Sequence, residues 1–315
     1  RKLIMSGFTP KAISVIEERI RELSVASIDA VIEDGRCDWH DVAAHMPIEV
    51  VADLLGVPTQ DRQHLFNWAN AMFGGEDPRV SSPGGMHKAQ QEMFAYALKL
   101  ASERRAQPGG DVFSQVAIAE EDGEMLSDFD LGCFFLILAT AGNETTRTQI
   151  LHGTLALIEN PEAMQALRDD PSLINNAIEE MLRYTTPALG FGRLATRDYE
   201  IAGQTIKAGE RVMLWYCSGN RDESVFADPD RFDVRRSNAR DHLAFGAKAG
   251  IHRCLGAMLA RAELKAMFQQ ITTRLPDIRL DGEVLRLRSN FTNGIHHMPV
   301  VFTPGKPTLS GQKLE

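Results

Sequence analysis

At 315 residues, 43% of them hydrophobic and 24% charged, with 25 glycines and 14 prolines, the chain is long and apolar enough to bury a large core, which excludes disorder, a collagen-like repeat and a disulfide scaffold. Lys+Arg total 34 against 43 Asp+Glu, a net charge of −9, and the basic residues are scattered, so nucleic acid is not an expected partner. The four cysteines, Cys37, Cys133, Cys217 and Cys254, show no C-x-x-C spacing, which argues against a zinc site or disulfide framework and fits a reducing cytoplasm.

In chain order, Arg1-Lys2-Leu3-Ile4 reads as the last turn of a helix whose start is absent, and position 1 is not Met, so N-terminal truncation is expected. Apolar residues then recur at helical spacing through residues 11–33, 42–55, 61–72 and 86–103, predicting four amphipathic helices. The Gly/Pro/Ser-rich segment 74–85 is a surface loop, either a lid or a connection, and loop statistics favour the connection. A long helix is predicted over 127–160, apolar in its first half and interrupted at 140–146. Its apolar run, 131–142, is about half of the ~20 residues a membrane span needs. Pro161 and Pro171 each start a further helix, the second closed by Pro187. Residues 191–216 alternate in short stretches broken by Gly203 and Gly209, which predicts a small antiparallel sheet. A helix over 255–273 and strands near 284–287 and 299–302 complete the chain. Residues 306–315 read as a tail whose last four are a cloning remnant. The fold class is therefore mainly α with a minor antiparallel β part, in one domain without a linker or repeat.

Four segments carry chemistry. The loop Phe245-Gly246-Ala247-Lys248-Ala249-Gly250-Ile251-His252-Arg253-Cys254-Leu255-Gly256 delivers one cysteine to the start of a helix. There glycines let the backbone fold around sulfur, and the helix dipole favours a thiolate. A metal-ligating thiolate, a nucleophile and a buried structural cysteine all remain open on this feature alone. Ala141-Gly142-Asn143-Glu144-Thr145-Thr146 places a small residue, an acid and a hydroxyl inside a buried helix, where Gly costs about 1 kcal/mol relative to Ala. Either something approaches that backbone closely, or Gly142 serves helix packing and the Thr bonds its own preceding turn. Glu180 and Arg183, three residues apart, share a helix face, which alone is most often a surface salt bridge. Asp228-Pro229-Asp230-Arg231-Phe232 offers a second guanidinium.

The order of these four segments resembles the cytochrome P450 superfamily of haem-thiolate monooxygenases, particularly its soluble bacterial members. The resemblance runs from Arg1 to Phe302 and includes Phe8-Thr9-Pro10 and Leu55-Gly56-Val57-Pro58. It implies a P450 fold lacking its N-terminal quarter, haem b as cofactor, O₂ as co-substrate, and NAD(P)H used only through redox partners. By the same resemblance Cys254 is the axial ligand of haem iron, in a loop shaped by Phe245, Gly250 and Gly256. Glu144 and Thr145 correspond to the acid–alcohol pair that delivers protons, with Gly142 leaving room and Ala141 facing the cofactor. Glu180, Arg183 and Arg231 correspond to a structural triad. His252, Arg193 and Arg1 correspond to residues that hold the haem propionates.

One departure lies in the loop: Phe245 is nine residues before Cys254, two more than the family's usual spacing, and this insertion is expected to alter how the loop backs the sulfur. Phe134, Leu138, Ala141, Ala188, Leu189, Phe191 and Phe291 are the expected substrate wall, suited to a steroid, a terpenoid or a branched or fatty lipid. Lys248, Arg253, Arg235, Arg236 and Arg240 either form a basic patch that receives an acidic ferredoxin-type donor or are solvated charges that flank the loop. The expected protein is a cytoplasmic, monomeric monooxygenase without a membrane span. The alternatives are a haem-binding carrier or sensor, against which the presence of Glu144 and Thr145 argues, and an inactive truncated fragment.

Overall fold

A computed structural model describes residues 8–81, 83–121, 123–248 and 250–308; the readings on Arg1 and on the last residues of the tail lie outside the described residues. The described chain forms α1 (Pro10–Asp29), β1 (Arg36–Asp38), α2 (Trp39–Leu55), α3 (Arg62–Phe73), α4 (Gly85–Ala106), α5 (Val112–Ala117), β2 (Glu120–Glu121), β3 (Glu124–Met125), α6 (Asp128–Glu159), α7 (Pro161–Asp169) and α8 (Ile174–Thr185). It continues with β4 (Gly190–Leu194), β5 (Tyr199–Ile201), β6 (Gln204–Ile206), β7 (Arg211–Trp215), α9 (Tyr216–Gly219), α10 (Ala257–Arg274), β8 (Arg279–Leu280), β9 (Leu285–Arg286), β10 (Ile295–His297) and β11 (Pro299–Val301). The mainly helical reading with small antiparallel sheets is thus the observed one.

The apolar run of the sequence becomes α6. Its start is set by Ser127, whose hydroxyl accepts from the Asp130 N–H, and by Asp128 and Asp130 at the positive end of the helix dipole. A helix apolar on nearly all sides must be surrounded, and α6 packs against α2, α3, α4, α8 and α10. The expected interruption at 140–146 is chemical, not conformational. Thr140 and Thr145 donate their hydroxyls to the carbonyls of Leu136 and Ala141, each at 2.7 Å, and the helix continues through them.

Residues 191–216 do not form one sheet. β4 pairs antiparallel with β7, setting Phe191 opposite Leu214 and Arg193 opposite Val212, while β5 and β6 make a separate hairpin. β1 pairs with β11, which also pairs with β8, in a three-stranded antiparallel sheet that ties the chain's first third to its end.

Two contacts fix the helices around α6. Trp39, wholly buried at the start of α2, donates its indole N–H to Thr154 Oγ1 at 3.0 Å. Gly153 lets α10 approach, because a Cβ there would lie 2.4 Å from Phe268 Cζ and 3.1 Å from Met181 Sδ. Among the described residues no helix is long and apolar enough to cross a membrane. Gly153→Ala is expected to lower stability by roughly 1–3 kcal/mol through overpacking of the α6–α10 contact, read as a reduced urea midpoint at unchanged slope.

Candidate active site

The loop that carries Cys254 is closed by its own backbone. Leu243 O accepts from Gly246 N–H at 2.7 Å, Ala247 O from Gly250 N–H at 3.1 Å, and Gly250 O from Arg253 N–H at 3.0 Å. Phe245 O accepts from Cys254 N–H at 2.9 Å. The two extra residues are therefore taken up in the turn that begins at Ala247, and Phe245 stays beside Cys254. Gly246 makes the first bend at φ +79°, a left-handed conformation that favours glycine. Cys254 is exposed and stands two residues before Gly256, the N-cap of α10, where the helix dipole favours negative charge on sulfur.

Phe245 is braced by groups that sequence reading missed. The Arg261 guanidinium lies over its ring at 4.6 Å and donates to Glu179 from Nε at 2.7 Å and Nη2 at 2.9 Å. His242 Nδ1 accepts from the Ala244 N–H at 3.1 Å, so its Nε2 carries the hydrogen given to Glu179 Oε2 at 3.0 Å. Burial alone would push the Glu179 carboxyl up, but the bonds from His242 and Arg261 outweigh it and hold the group down at about 2.

The triad is present with one member exchanged. Glu180 and Arg183 are fully buried and joined by two bonds of 2.7 and 2.8 Å. The second guanidinium on Glu180 is Arg236, whose Nε lies 3.1 Å from both carboxylate oxygens. Arg231, the expected member, has an exposed side chain and offers only its backbone carbonyl, which accepts from Arg183 and Arg236. The cause is an alternation of period two: Phe232, Val234 and Arg236 point inward and Arg231 and Arg235 outward. Counting that alternation from Phe232 would have found Arg236 in the sequence.

A cavity of about 650 Å³ opens beside the loop, lined in part by Arg193, Trp215, Tyr216, Gly246, His252 and Arg253. Around it Phe191, Met213, Leu214, Trp215 and Ile251 are exposed apolar side chains. The Arg193 guanidinium donates only to the neighbouring Gly192 carbonyl, and His252 has no side-chain partner among the described residues.

On α6 the stripe facing outward is Ile137, which is 65% exposed, then Ala141 and half-buried Thr145 on successive turns. The expected Phe134 and Leu138 instead pack against the core, Phe134 parallel to Phe113 at 6.4 Å. They sit one helical step from the outward stripe, a phase that an all-apolar helix does not reveal. The space at Gly142 is used by α2, since a Cβ there would lie 2.7 Å from Val51 Cγ2; helix packing accounts for this glycine. Glu144 is buried and bonded to Arg147, and it accepts from Thr148 Oγ1 at 3.3 Å. Leu189, Phe191 and Phe291 do come together: Leu189 N–H donates to Phe291 O at 2.9 Å, and the two phenyl rings meet edge-on at 5.3 Å. Ala188, bridged to Thr292, is buried behind them.

The family model for cytochrome P450 matches residues 81–275. A steroid C26-monooxygenase of Mycolicibacterium smegmatis is 39% identical over 313 residues, covering 99% of this chain and 72% of that protein. The chain belongs to the cytochrome P450 family. A methyl-branched lipid omega-hydroxylase of Mycobacterium tuberculosis is 38% identical over 96% of this chain and 72% of its own length. Among solved structures, a Mycobacterium marinum cytochrome P450 in complex with pseudoionone superposes with a TM-score of 0.91 at 39% identity, covering 96% of this chain and 74% of that one.

As a P450 monooxygenase the protein uses haem b, O₂ and electrons from a redox partner. The residues present fit that cofactor. A thiol at a helix N-terminus lies beside an exposed apolar face that a flat macrocycle would cover, and Arg193 and His252 at the same cavity suit two carboxylates.

Two outcomes test this geometry. Arg236→Ala should destabilise the fold by about 3–5 kcal/mol, because it leaves Glu180 buried with one cation fewer, whereas Arg231→Ala should change stability by less than about 0.5 kcal/mol; urea unfolding of both P450 variants measures the contrast. Because the folded-state pKa of Glu179 is depressed, its contribution is complete above its ordinary value of 4.5 and is lost as pH falls toward about 2. Glu179→Gln should flatten the acid limb of a stability-against-pH curve in that window.

Proposed function

We propose that this P450 hydroxylates a lipophilic small molecule, a steroid side chain, a terpenoid or a branched or fatty lipid, with electrons from a ferredoxin-type donor. We read residues 1–315 as one catalytic domain acting as a cytoplasmic monomer. The observation that carries the proposal is the convergence of the Cys254 loop, an exposed apolar face and the side chains of Arg193 and His252 on one cavity. The substrate class rests on the steroid and lipid hydroxylases among the relatives.

When bound, haem b supplies the iron at which O₂ is reduced, one oxygen atom passing to a C–H bond and the other leaving as water. Cys254 would ligate that iron, its sulfur held by the Phe245–Cys254 backbone bond and favoured as thiolate by α10. Arg193 and His252 would hold the propionates. Thr145 lies on the outward stripe of α6 with its hydroxyl donating to the Ala141 carbonyl, and Glu144 one residue earlier would be the acid that resupplies protons. Ile137, Ala141, Leu189, Phe191 and Phe291 would form the apolar wall for substrate.

The donor would meet the Cys-loop face. Arg236 is withdrawn from the expected basic patch by its ion pair with Glu180, and Lys248 is paired with Asp241 at 2.5 Å, so attraction rests chiefly on Arg235 and Arg240, which are exposed.

The decisive experiment is the absorption spectrum of the purified protein, oxidised and then reduced under carbon monoxide, with haem counted per chain. A strongly red-shifted carbon-monoxide band at near one haem per chain, absent in Cys254→Ser, is the expected result; no haem, or the same band in Cys254→Ser, overturns the assignment. Thr145→Ala should keep the haem spectrum while a larger share of the electrons consumed ends as hydrogen peroxide. Tight coupling in that variant would remove Thr145 from proton delivery.

A further inference from the structure

The surroundings of Glu144 reach beyond α6. One of its carboxylate oxygens accepts from Thr148 and the other from Arg147 Nη2, and the ion pair is almost wholly enclosed, with 3% and 6% of the two side chains exposed. The same guanidinium donates from Nη1 to Asn70 Oδ1 at 2.6 Å. Its Nε is also buried, and it has no partner among the described residues. Arg147 therefore divides its donors between an acid on its own helix and an amide on α3.

The two helices differ in how firmly they are held. α6 is buried without interruption from Thr146 to Leu157, whereas of the twelve residues of α3 only Leu65 and Ala69 are fully buried. The segment after α3 is fastened: Asp77, wholly buried, accepts from Arg79 Nε at 3.0 Å and from the Arg288 N–H at 2.9 Å, and Arg79 Nη2 donates to Arg286 O at 2.5 Å. The segment 77–79 is thus clasped to the C-terminal β region, and α3 is a lightly embedded helix with its far end tethered. Small displacements of such a helix cost less than displacement of α6. Withdrawing Asn70 would leave Arg147 Nη1 without its partner beside an Nε that already has none, a cost that a shift of the guanidinium toward other acceptors or water relieves. The donor that fixes the direction of the Glu144 carboxylate would shift with it.

We propose that Arg147 is a positioning residue that sets the direction of the Glu144 carboxylate, and that Asn70 places this setting under the control of α3. Movement of α3 relative to α6 then changes how readily Glu144 passes protons to the site. The inference rests on the proposed role of Glu144 in proton delivery.

The test combines a measurement that needs no turnover with one that does. By hydrogen–deuterium exchange, Asn70→Ala and Arg147→Met should each speed exchange of the amides of residues 62–73 by about threefold or more, with residues 85–106 unchanged. In the haem-loaded enzyme turning over a hydroxylated substrate, Arg147→Met should raise the fraction of electrons released as hydrogen peroxide by about threefold or more and increase the solvent deuterium isotope effect. Arg147→Lys, which keeps the charge without the fork, should recover part of the loss. Asn70→Ala should move both readouts the same way, and the double variant should match Arg147→Met alone, because both act through one contact. Additive effects, or an unchanged peroxide fraction in Arg147→Met with the haem spectrum intact, would overturn the inference. Should Arg147→Met fail to fold, half-buried Asn70→Ala decides it on the same readouts. Glu144→Gln run in parallel separates the two ideas: no change there overturns the proton-delivery role and this inference with it, while a raised peroxide fraction there but not in the Arg147 and Asn70 variants overturns this inference alone.

Discussion

The buried carboxylate of Glu180 is the constraint on which the position of the cysteine loop depends. An ionised group taken out of water costs several kcal/mol unless its lone pairs are filled, and here they are filled from three directions. Arg183 supplies two bonds, Arg236 two more, and the Asp233 N–H a fifth at 3.0 Å. Arg183 spends its remaining N–H groups on the carbonyls of Asn220, Pro229 and Arg231. The irregular chain between α9 and the loop, which has almost no secondary structure of its own, is thereby shaped around a charge on α8. Asn220 carries the constraint onward, giving its amide to Thr186 Oγ1 at 2.8 Å and accepting the Leu243 N–H at 2.6 Å. Leu243 in turn accepts from Gly246. Cys254 is thus located by a chain of bonds that begins at a buried acid far from it in sequence.

The residue before that acid does the complementary job. Glu179 and Glu180 are adjacent on one helix and diverge by about 100°, so one reaches the irregular segment while the other reaches α10 and the ring of Phe245 through Arg261 and His242. Both carboxylates are buried and both are paired, so α8 grips the loop from two sides. An insertion of two residues within the loop is tolerable under such a grip, because the bonds that fix its ends, at Leu243 and at Phe245–Cys254, do not pass through the turn where the extra residues lie.

What was legible in the sequence follows from how local its cause is. Cys254 ahead of a helix, Glu180 and Arg183 on one face, and the long helices themselves are set by spacing along the chain, and each was readable. β1, β2, β3, β8 and β10 were not, because strands of two or three residues are too short to show a period and exist only through their partners, as Arg36 does opposite Val301. Arg231 was preferred to Arg236 because it stands inside a recognisable segment, whereas the choice is made by inward–outward alternation from Phe232. Phe134 and Leu138 were preferred to Ile137 for a related reason. A helix apolar all round carries no moment to show which side is covered by neighbours and which is left open. Gly142 shows the same limit: the sequence reveals that something comes close, and only the packing reveals that it is Val51.

The two sides of the site are built to different standards of satisfaction. Around Cys254 the buried charges, Glu179, Glu180, Arg183 and Arg236, have their partners in the protein. Along the middle of α6 several buried polar atoms have none among the described residues: both amide atoms of Asn143, Arg147 Nε and Gln149 Nε2, with Thr292 Oγ1 on the facing segment. A fully bonded network has one arrangement and is stiff, while atoms left over in a polar region are where ordered water completes the bonding. Such water can be exchanged and reoriented, which a protein–protein bond cannot be without moving the chain. The sulfur therefore belongs to the rigid half of the molecule, whose task is to keep one atom in one place. The acid and hydroxyl of α6 belong to the half whose hydrogen bonds can be rearranged, which is what the passage of protons through Glu144 and Thr145 would require.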